Sequence, residues 1–444
     1  MKFAICLAHV IFITASGDQL KKRICTGSGT SFDGNAPENL DCQSVILNEK
    51  MKAILGFGSA GEPPLNLKIL AESPQKIFHE GPVLFEERHE IYFVTNRLGK
   101  DTNGLDQYID LMKYNVKTGK VEKVDAKIPM GNGMTKSVDG QKLLICSQGY
   151  NTTGGAIIEL DLDSLETRTV VSTYFGRPFN SPNDVDVASN GDIYFTDPIY
   201  GFLQGFRAGV PKMGNHIYSY NPKSDQLLIL SDSLERPNGI ALDEETGLLF
   251  VTDSAYFDGP PWTGSYLHAN SIYSIEIKPN GAAIGGHYRK MLFNSVGDIQ
   301  DGIAVYKPGN LLFSAGGGGI EIWDLCTNEA IGLIYTPKGD RGVTQILLPK
   351  VPGKQTVYGF SETILWSIDL IMPAVSSCKM GKSSTPATLL LSSEGTSRVD
   401  IALCLAVLNL FGMSLLAIFI YRTRTLRKRE FAEFTPQRYF PMIS

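Results

Sequence analysis

Histidine, tryptophan and cysteine are scarce in this 444-residue chain, with six, three and seven copies. No thiolate or imidazole cluster has zinc spacing, which excludes a structural zinc site of the usual kind. No Gly-x-Ser-x-Gly elbow is present, so a serine nucleophile of the α/β-hydrolase type is excluded. Basic tracts are missing from the central region and the formal net charge is −5, which argues against nucleic acid and anionic lipid as general partners. Long amphipathic helical periodicity is also missing there. Runs of four to eight residues between Gly, Pro, Asn and Asp dominate instead, the pattern of an all-β chain. At 43% hydrophobic and 10% aromatic, the chain has ample material for a large core and is too apolar for a disordered one. Of the cysteines, Cys6 and Cys404 fall in apolar terminal segments, leaving Cys25, Cys42, Cys146, Cys326 and Cys378. Cys25 and Cys42 flank a Gly/Ser/Asn-rich stretch and are the best disulfide candidates in an oxidising compartment. The remaining count is odd, so at least one thiol stays free or pairs between chains.

Both ends read as targeting segments. Lys2, an apolar run and Ala15-Ser16-Gly17 give residues 1–17 the layout of a secretory signal. Residues 400–421 are almost wholly apolar and long enough for a bilayer core of ~30 Å. Arg422, Arg424, Arg427, Lys428 and Arg429 follow at once. Positive residues stay cytoplasmic, so a single-pass type I orientation is expected, with residues 422–444 as a short cytosolic tail and the bulk of the chain extracellular or luminal. Between these ends come an N-terminal extension (18–70), a repeat region (71–370) and a Ser/Thr-rich stalk (371–399). Asn151-Thr152-Thr153 is a glycosylation sequon suited to such a luminal surface.

In the repeat region one phrase returns six times: an aromatic-rich extended run closed by a small polar turn, as in Ile91-Tyr92-Phe93-Val94-Thr95, Ile193-Tyr194-Phe195-Thr196-Asp197 and Leu249-Phe250-Val251-Thr252-Asp253. Successive copies lie roughly 45 to 65 residues apart, the length of a four-stranded propeller blade. Each phrase reads as an inner strand. The expected fold is therefore an all-β, six-bladed β-propeller with one axial mouth where loops from every blade meet.

A glycine pattern at Gly56-Phe57-Gly58-Ser59-Ala60-Gly61 mimics a dinucleotide fingerprint, but Pro63-Pro64 stand where the helix has to continue. No nucleotide cofactor is expected. Four other turns carry more chemistry: His79-Glu80-Gly81-Pro82, Ser181-Pro182-Asn183-Asp184, Arg236-Pro237-Asn238-Gly239 and Gln300-Asp301-Gly302-Ile303. Each sets one oxygen-bearing side chain at the start of an apolar run, at one axial face of the ring. Taken singly, such residues are ordinary solvated turn formers. Taken together, Glu80, Asn183, Asn238 and Asp301 supply two carboxylates and two amide oxygens. That set suits one hard divalent cation, Ca²⁺ above all, with Mg²⁺, Mn²⁺ or Zn²⁺ as alternatives.

At these residues the chain resembles the senescence-marker/gluconolactonase/regucalcin-like family, in its fungal lactonohydrolase branch. Ser181-Pro182-Asn183-Asp184, with Phe195-Thr196-Asp197-Pro198 and Tyr200-Gly201, is the most specific part. The resemblance implies a six-bladed propeller with a catalytic divalent cation at its mouth and a small lactone as substrate. By motif, Glu80 matches the first-blade ligand, Asn238 the ligand asparagine and Asp301 the ligand aspartate that also serves as catalytic base. Asn183 matches an asparagine contacting metal or substrate, and Asn132-Gly133 resembles a further position near the site. Gln300 stands where the family often has proline. His79 is placed either to orient Glu80 or to approach substrate. The implied reaction is lactone hydrolysis, with the cation polarising the carbonyl and Asp301 activating water. Two alternatives stand beside it: a paraoxonase-like calcium-dependent arylesterase, and a non-catalytic ligand-binding propeller. Asp197 and Asp253 are read as structural, and Pro260-Pro261-Trp262 as a roof over the mouth.

Overall fold

The computed structural model describes residues 23–24, 44–46, 49–57, 66–99, 106–256, 264, 267–278, 281, 283–291, 299–337 and 342–374. The chain divides into two compact units, Met1–Lys382 and Ser383–Ser444, and every described residue belongs to the first. Among the described residues, six large antiparallel sheets follow one another along the sequence, five of four strands and one of six, beside a two-stranded hairpin at residues 173–178. Their innermost strands are Glu80–Phe85, Gly131–Lys136, Val185–Val187, Pro237–Asp243, Gln300–Tyr306 and Gln345–Leu347. Each innermost strand touches that of the next sheet, and the sixth touches the first, so the sheets close into a six-bladed propeller.

The recurring phrases are not the innermost strands expected of them but the second strand of each blade: Glu90–Val94, Leu143–Ser147, Ile193–Asp197, Leu248–Asp253, Leu311–Gly316 and Gly353–Ser361. The reason is physical. A second strand is hydrogen-bonded on both edges and covered by neighbouring blades on both faces, so it is apolar along most of its length. An innermost strand faces the axial channel and its first residues are small or polar. Channel burial therefore writes a weaker hydrophobic signal than blade-to-blade burial.

The core follows the same geometry. Six separate apolar clusters lie one at each junction between adjacent blades. Phe179, Phe195 and Tyr218 fill the junction of blades two and three, where the Phe195 and Tyr218 rings stack at 5.0 Å. Phe78, Phe93 and Phe360 fill the junction of blades six and one. Each fully buried ring contributes about 1.5–3 kcal/mol, so the joints, not the axis, hold the ring together. Gly359 interrupts the sixth phrase because a Cβ there would lie 2.3 Å from the Trp366 indole, whose Nε1 donates to Ser361 Oγ at 2.9 Å.

Closure of the ring uses residues far apart in sequence. Lys68–Glu72 is the outermost strand of the sixth blade, paired with Ile364–Met372. The ring is therefore sealed by N-terminal chain. Short strands Arg23–Ile24 and Ser44–Ile46 extend the fifth blade, and the helix Glu49–Ile54 buries Met51 and Ile54 in the cluster between blades five and six.

The segments 1–17, 375–399 and 400–444 lie outside the described residues, as do Cys25, Cys42 and Pro260-Pro261-Trp262. Among the described residues, no helix is long and apolar enough to cross a membrane. Cys146 is free and buried. Cys326 is disulfide-bonded. Asn151 is exposed and holds a positive φ of 51°.

Candidate active site

The residue at the start of each innermost strand is stitched to its counterpart in the next blade. Between blades one and two the contact is steric: Gly81 has φ +61°, and a Cβ on it would meet Asn132 O at 2.8 Å. Gly133 N donates to Asn183 O at 2.7 Å, joining blades two and three. Thr196 Oγ1 donates to Asn238 O at 2.7 Å, joining three and four. Asn238 Nδ2 donates to Asp301 Oδ1 at 2.8 Å, joining four and five. Gly302 N donates to Thr344 O at 2.9 Å, and Thr344 Oγ1 donates to His79 O at 2.5 Å, completing the circle. Glu80, Asn132, Asn183, Asn238, Asp301 and Thr344 thus occupy equivalent places around one end of the axis.

The phrase ending Thr-Asp has a specific task. In blade four, Thr252 Oγ1 accepts from Gly239 N at 2.8 Å and donates to Asp301 O at 2.7 Å, which ties it forward to the next blade. Asp253 turns backward and accepts from Glu235 N and Arg236 N, both at 2.8 Å, in the loop leading into its own blade. Asp197 does the same in blade three, with Asn180 N at 3.0 Å and Ser181 N at 2.8 Å. Both aspartates are therefore braces for the loops that carry Asn183 and Asn238. A third brace is Asp184, whose Oδ2 accepts from Ile240 N at 3.0 Å. Burial pushes its carboxyl up to about 7 against the pull of two backbone amides.

The two acids of the site, buried Glu80 and half-buried Asp301, act on each other's charge. Glu80 is 4% exposed. Burial, then the charges of Asp301 and Asp184, push its carboxyl well above the usual range, while the neutral Gly81 and Gln345 amides pull it down. Asp301 is pushed up to about 6, mainly by burial; His79 and the Asn238 amide pull downward and Glu362 pushes upward. Two carboxylates within reach of each other's charge oppose each other's ionisation. A bound cation reverses that.

The two asparagines with assigned hydrogen bonds differ in what they offer. Asn238 commits its nitrogen to Asp301, which leaves its oxygen as an acceptor for a cation. Asn132 commits its oxygen to Gly133 N at 2.9 Å, which leaves its nitrogen as a donor to substrate. Among the described residues there is no group of three or more His, Cys, Asp or Glu placed to hold a metal. Half of the donor set here consists of amides, so such a group is not required.

His79 stands beside the ring with Nδ1 3.5 Å from Glu362 Oε2. Burial alone would raise Glu362, but His79, Lys76 and the Asn96 amide outweigh it and hold the carboxyl at about 2. Two other described histidines are engaged elsewhere. His216 Nδ1 pairs with Tyr218 OH at 2.9 Å, and His268 Nδ1 with Glu235 at 3.1 Å.

Sequence reasoning missed Thr344-Gln345, the start of the sixth innermost strand, because it carries neither an acid nor the Asn-Gly or Asp-Gly signature. The signal that finds it is the blade count: a sixth phrase at Tyr358 requires an innermost strand just before it. The substitution at Gln300 is fully compensated. Its N–H, which proline would lack, donates to Asn270 Oδ1 at 3.0 Å. Its side chain donates to Glu321 at 3.0 Å and accepts from Ser314 Oγ.

Residues 78–338 match the model of the SMP-30/gluconolactonase/LRE-like region. The chain belongs to this family of six-bladed propellers. It is 31% identical to a gluconolactonase of Zymomonas mobilis over 337 residues, covering 74% of this chain and 87% of that one. A lactonohydrolase of Aspergillus oryzae is 24% identical over 266 residues, covering 55% of this chain and 58% of that one. Among solved structures, a gluconolactonase of Xanthomonas campestris superposes with a TM-score of 0.57 at 23% identity, covering 74% of this chain and 95% of that one. A regucalcin of Agrobacterium tumefaciens gives 0.50 at 13% identity, covering 70% and 97%. At these identities the superpositions speak to the fold alone.

Proposed function

We propose that this chain is a lactonase that hydrolyses sugar lactones with one divalent cation at the mouth of the propeller. The observation that carries this reading is the closed circle of strand starts, in which Asp301 is bonded to Asn238 and its charge acts on buried Glu80. Family membership and the relatives named gluconolactonase and lactonohydrolase support it. Glu80, Asn183, Asn238 and Asp301 would hold the cation, and this all-oxygen donor set favours Ca²⁺. A cation bound there would supply Lewis acidity to the lactone carbonyl.

The rest falls to the protein. Asp301 accepts the proton of an attacking water, the water oxygen bonds to the carbonyl carbon, and the ring C–O bond breaks as Asp301 returns that proton to the departing oxygen, leaving an alcohol and a carboxylic acid that ionises in water. Thr252 on the Asp301 carbonyl and Asn238 on its carboxylate fix the base in position. Asn132 Nδ2 and His79 flank the circle as donors to substrate. The disulfide at Cys326 and the exposed Asn151 sequon support placement of the propeller in the secretory pathway, on the luminal or extracellular side.

A pH-stat assay with Ca²⁺ tests the reading. Purified protein is expected to hydrolyse glucono-δ-lactone and galactono-lactone faster than phenyl acetate. A preference for phenyl acetate selects the arylesterase instead. No turnover of any of the three overturns the enzymatic reading.

A further inference from the structure

Each innermost strand that starts in the circle runs along the axis to the opposite end of the propeller. Six residues on from Glu80, Asn132, Asn183, Asn238, Asp301 and Thr344 stand Glu86, Val138, Ser189, Glu244, Lys307 and Lys350. A cavity of about 550 Å³ lies along the axis between the two ends. Gly81, Asp184 and Gln345, each the residue next to a member of the circle, wall its near end. Val138, Ser189, Glu244, Lys307 and Lys350 wall its far end.

Around the far end the charged groups are settled in every sector but one. In blades one and two, Lys136 Nζ donates to Glu86 Oε2 at 2.7 Å. In blades three and four, Ser189 N and Ser189 Oγ donate to Glu244 Oε1 at 2.7 and 3.0 Å, which turns that carboxylate to blade three. Blades five and six, whose innermost strands touch, bring Lys307 and Lys350. Neither lysine side chain has an ion-pair or hydrogen-bond partner among the described residues. Both charges act on Asp186 deeper in the wall, but that carboxylate is occupied. Its Oδ1 accepts from Val187 N and its Oδ2 from Leu242 N, both at 2.8 Å.

The two lysines are also carried on stiff chain. Pro308 follows Lys307 and Pro349 precedes Lys350, both in the cavity wall, and each proline fixes its own φ. Two ammonium groups on one rim repel each other, and their sector holds no carboxylate to offset them. An anion between them is attracted by both charges and accepts from N–H donors on two sides.

We propose that the far end of the axial cavity binds a small oxyanion, a phosphate or a carboxylate group, between Lys307 and Lys350. The cavity is of the size of small-molecule sites, so the anionic group can carry a sugar-sized body. Such a site is separate from the mouth and holds whether or not the chain is a lactonase.

Isothermal titration calorimetry tests this on the full protein, stripped of divalent cations on a chelating resin so that no metal at the mouth recruits the anion. Its melting transition confirms that it is folded. The probes are inorganic phosphate and gluconate at low ionic strength. One binding site per chain is expected for at least one of them. Tighter phosphate points to a phosphorylated ligand, and tighter gluconate to a sugar acid. Lys307→Gln and Lys350→Gln are each expected to weaken binding about tenfold, and the double variant to abolish it. Lys117→Gln, outside the cavity, leaves the affinity unchanged. All three lysines are exposed, so melting temperatures should not move. No binding of either anion, affinity undiminished in both cavity variants, or an equal loss in Lys117→Gln overturns the assignment.

Discussion

Replacing Asp301 by asparagine is expected to lower kcat for glucono-δ-lactone by about 10²- to 10⁴-fold, the range that a positioned general base supplies. Asparagine matches aspartate in shape, and Thr252 bonds the backbone carbonyl of residue 301, not its side chain. The local frame should therefore survive, and the melting temperature reports whether it does. What is lost is the ability to take a proton. Rates have to be read at saturating Ca²⁺, because the amide is also a weaker cation ligand than the carboxylate. In the metal-free protein the Asp301 carboxyl sits at about 6, raised chiefly by burial, and a bound cation lowers it. The unmodified enzyme should accordingly keep its base form through neutral pH and lose activity in acid. A mutant with near wild-type turnover, cation bound, would remove Asp301 from the chemistry.

Metal removal is expected to have the second-largest effect, on the fold as well as the rate. Chelation is expected to stop lactone hydrolysis, and Ca²⁺ to restore it. For stability, the sign follows from the protons. Glu80 and Asp301 hold theirs to higher pH in the folded chain than in the unfolded one, where Asp301 reverts towards 3.8. Between about pH 4 and 6 the native state binds more protons, so metal-free stability falls as pH rises through that window. Asp301 alone accounts for a loss of about 2–3 kcal/mol. A cation bound to the ionised pair offsets the loss and adds binding energy of its own, about 2.7 kcal/mol at a hundredfold excess over Kd. Differential scanning fluorimetry with and without Ca²⁺ therefore has a definite expected result: the Ca²⁺-induced rise in Tm is several degrees larger at pH 7.5 than at pH 5. Equal rises at the two pH values would contradict it.

The architecture was legible because blade-to-blade burial imposes an apolar phrase at a regular interval, and six phrases correspond to six second strands. The phrases misled about which strand they were, since the strands lining the axis are entered through polar turns such as those of Asn183 and Asp301. The oxygen-bearing turns stood out for the opposite reason. At four of the six strand starts an acid or amide is followed by a glycine that a close neighbour requires, as at Gly81 against Asn132. Thr344 escaped notice because it reaches the same place without that signature. The braces were harder still. Nothing in a single sequence says that Asp197 and Asp253 turn back to their own loops while Thr196 and Thr252 reach forward.

The shared ion is the most direct point to test, and anomalous diffraction from crystals grown with Ca²⁺ addresses it in one map. A single peak is expected at the mouth, within about 2.3–2.6 Å of oxygens from Glu80, Asn183, Asn238 and Asp301 together. A peak bound by other residues, or none at the mouth of a crystal whose protein hydrolyses lactones, would contradict the account.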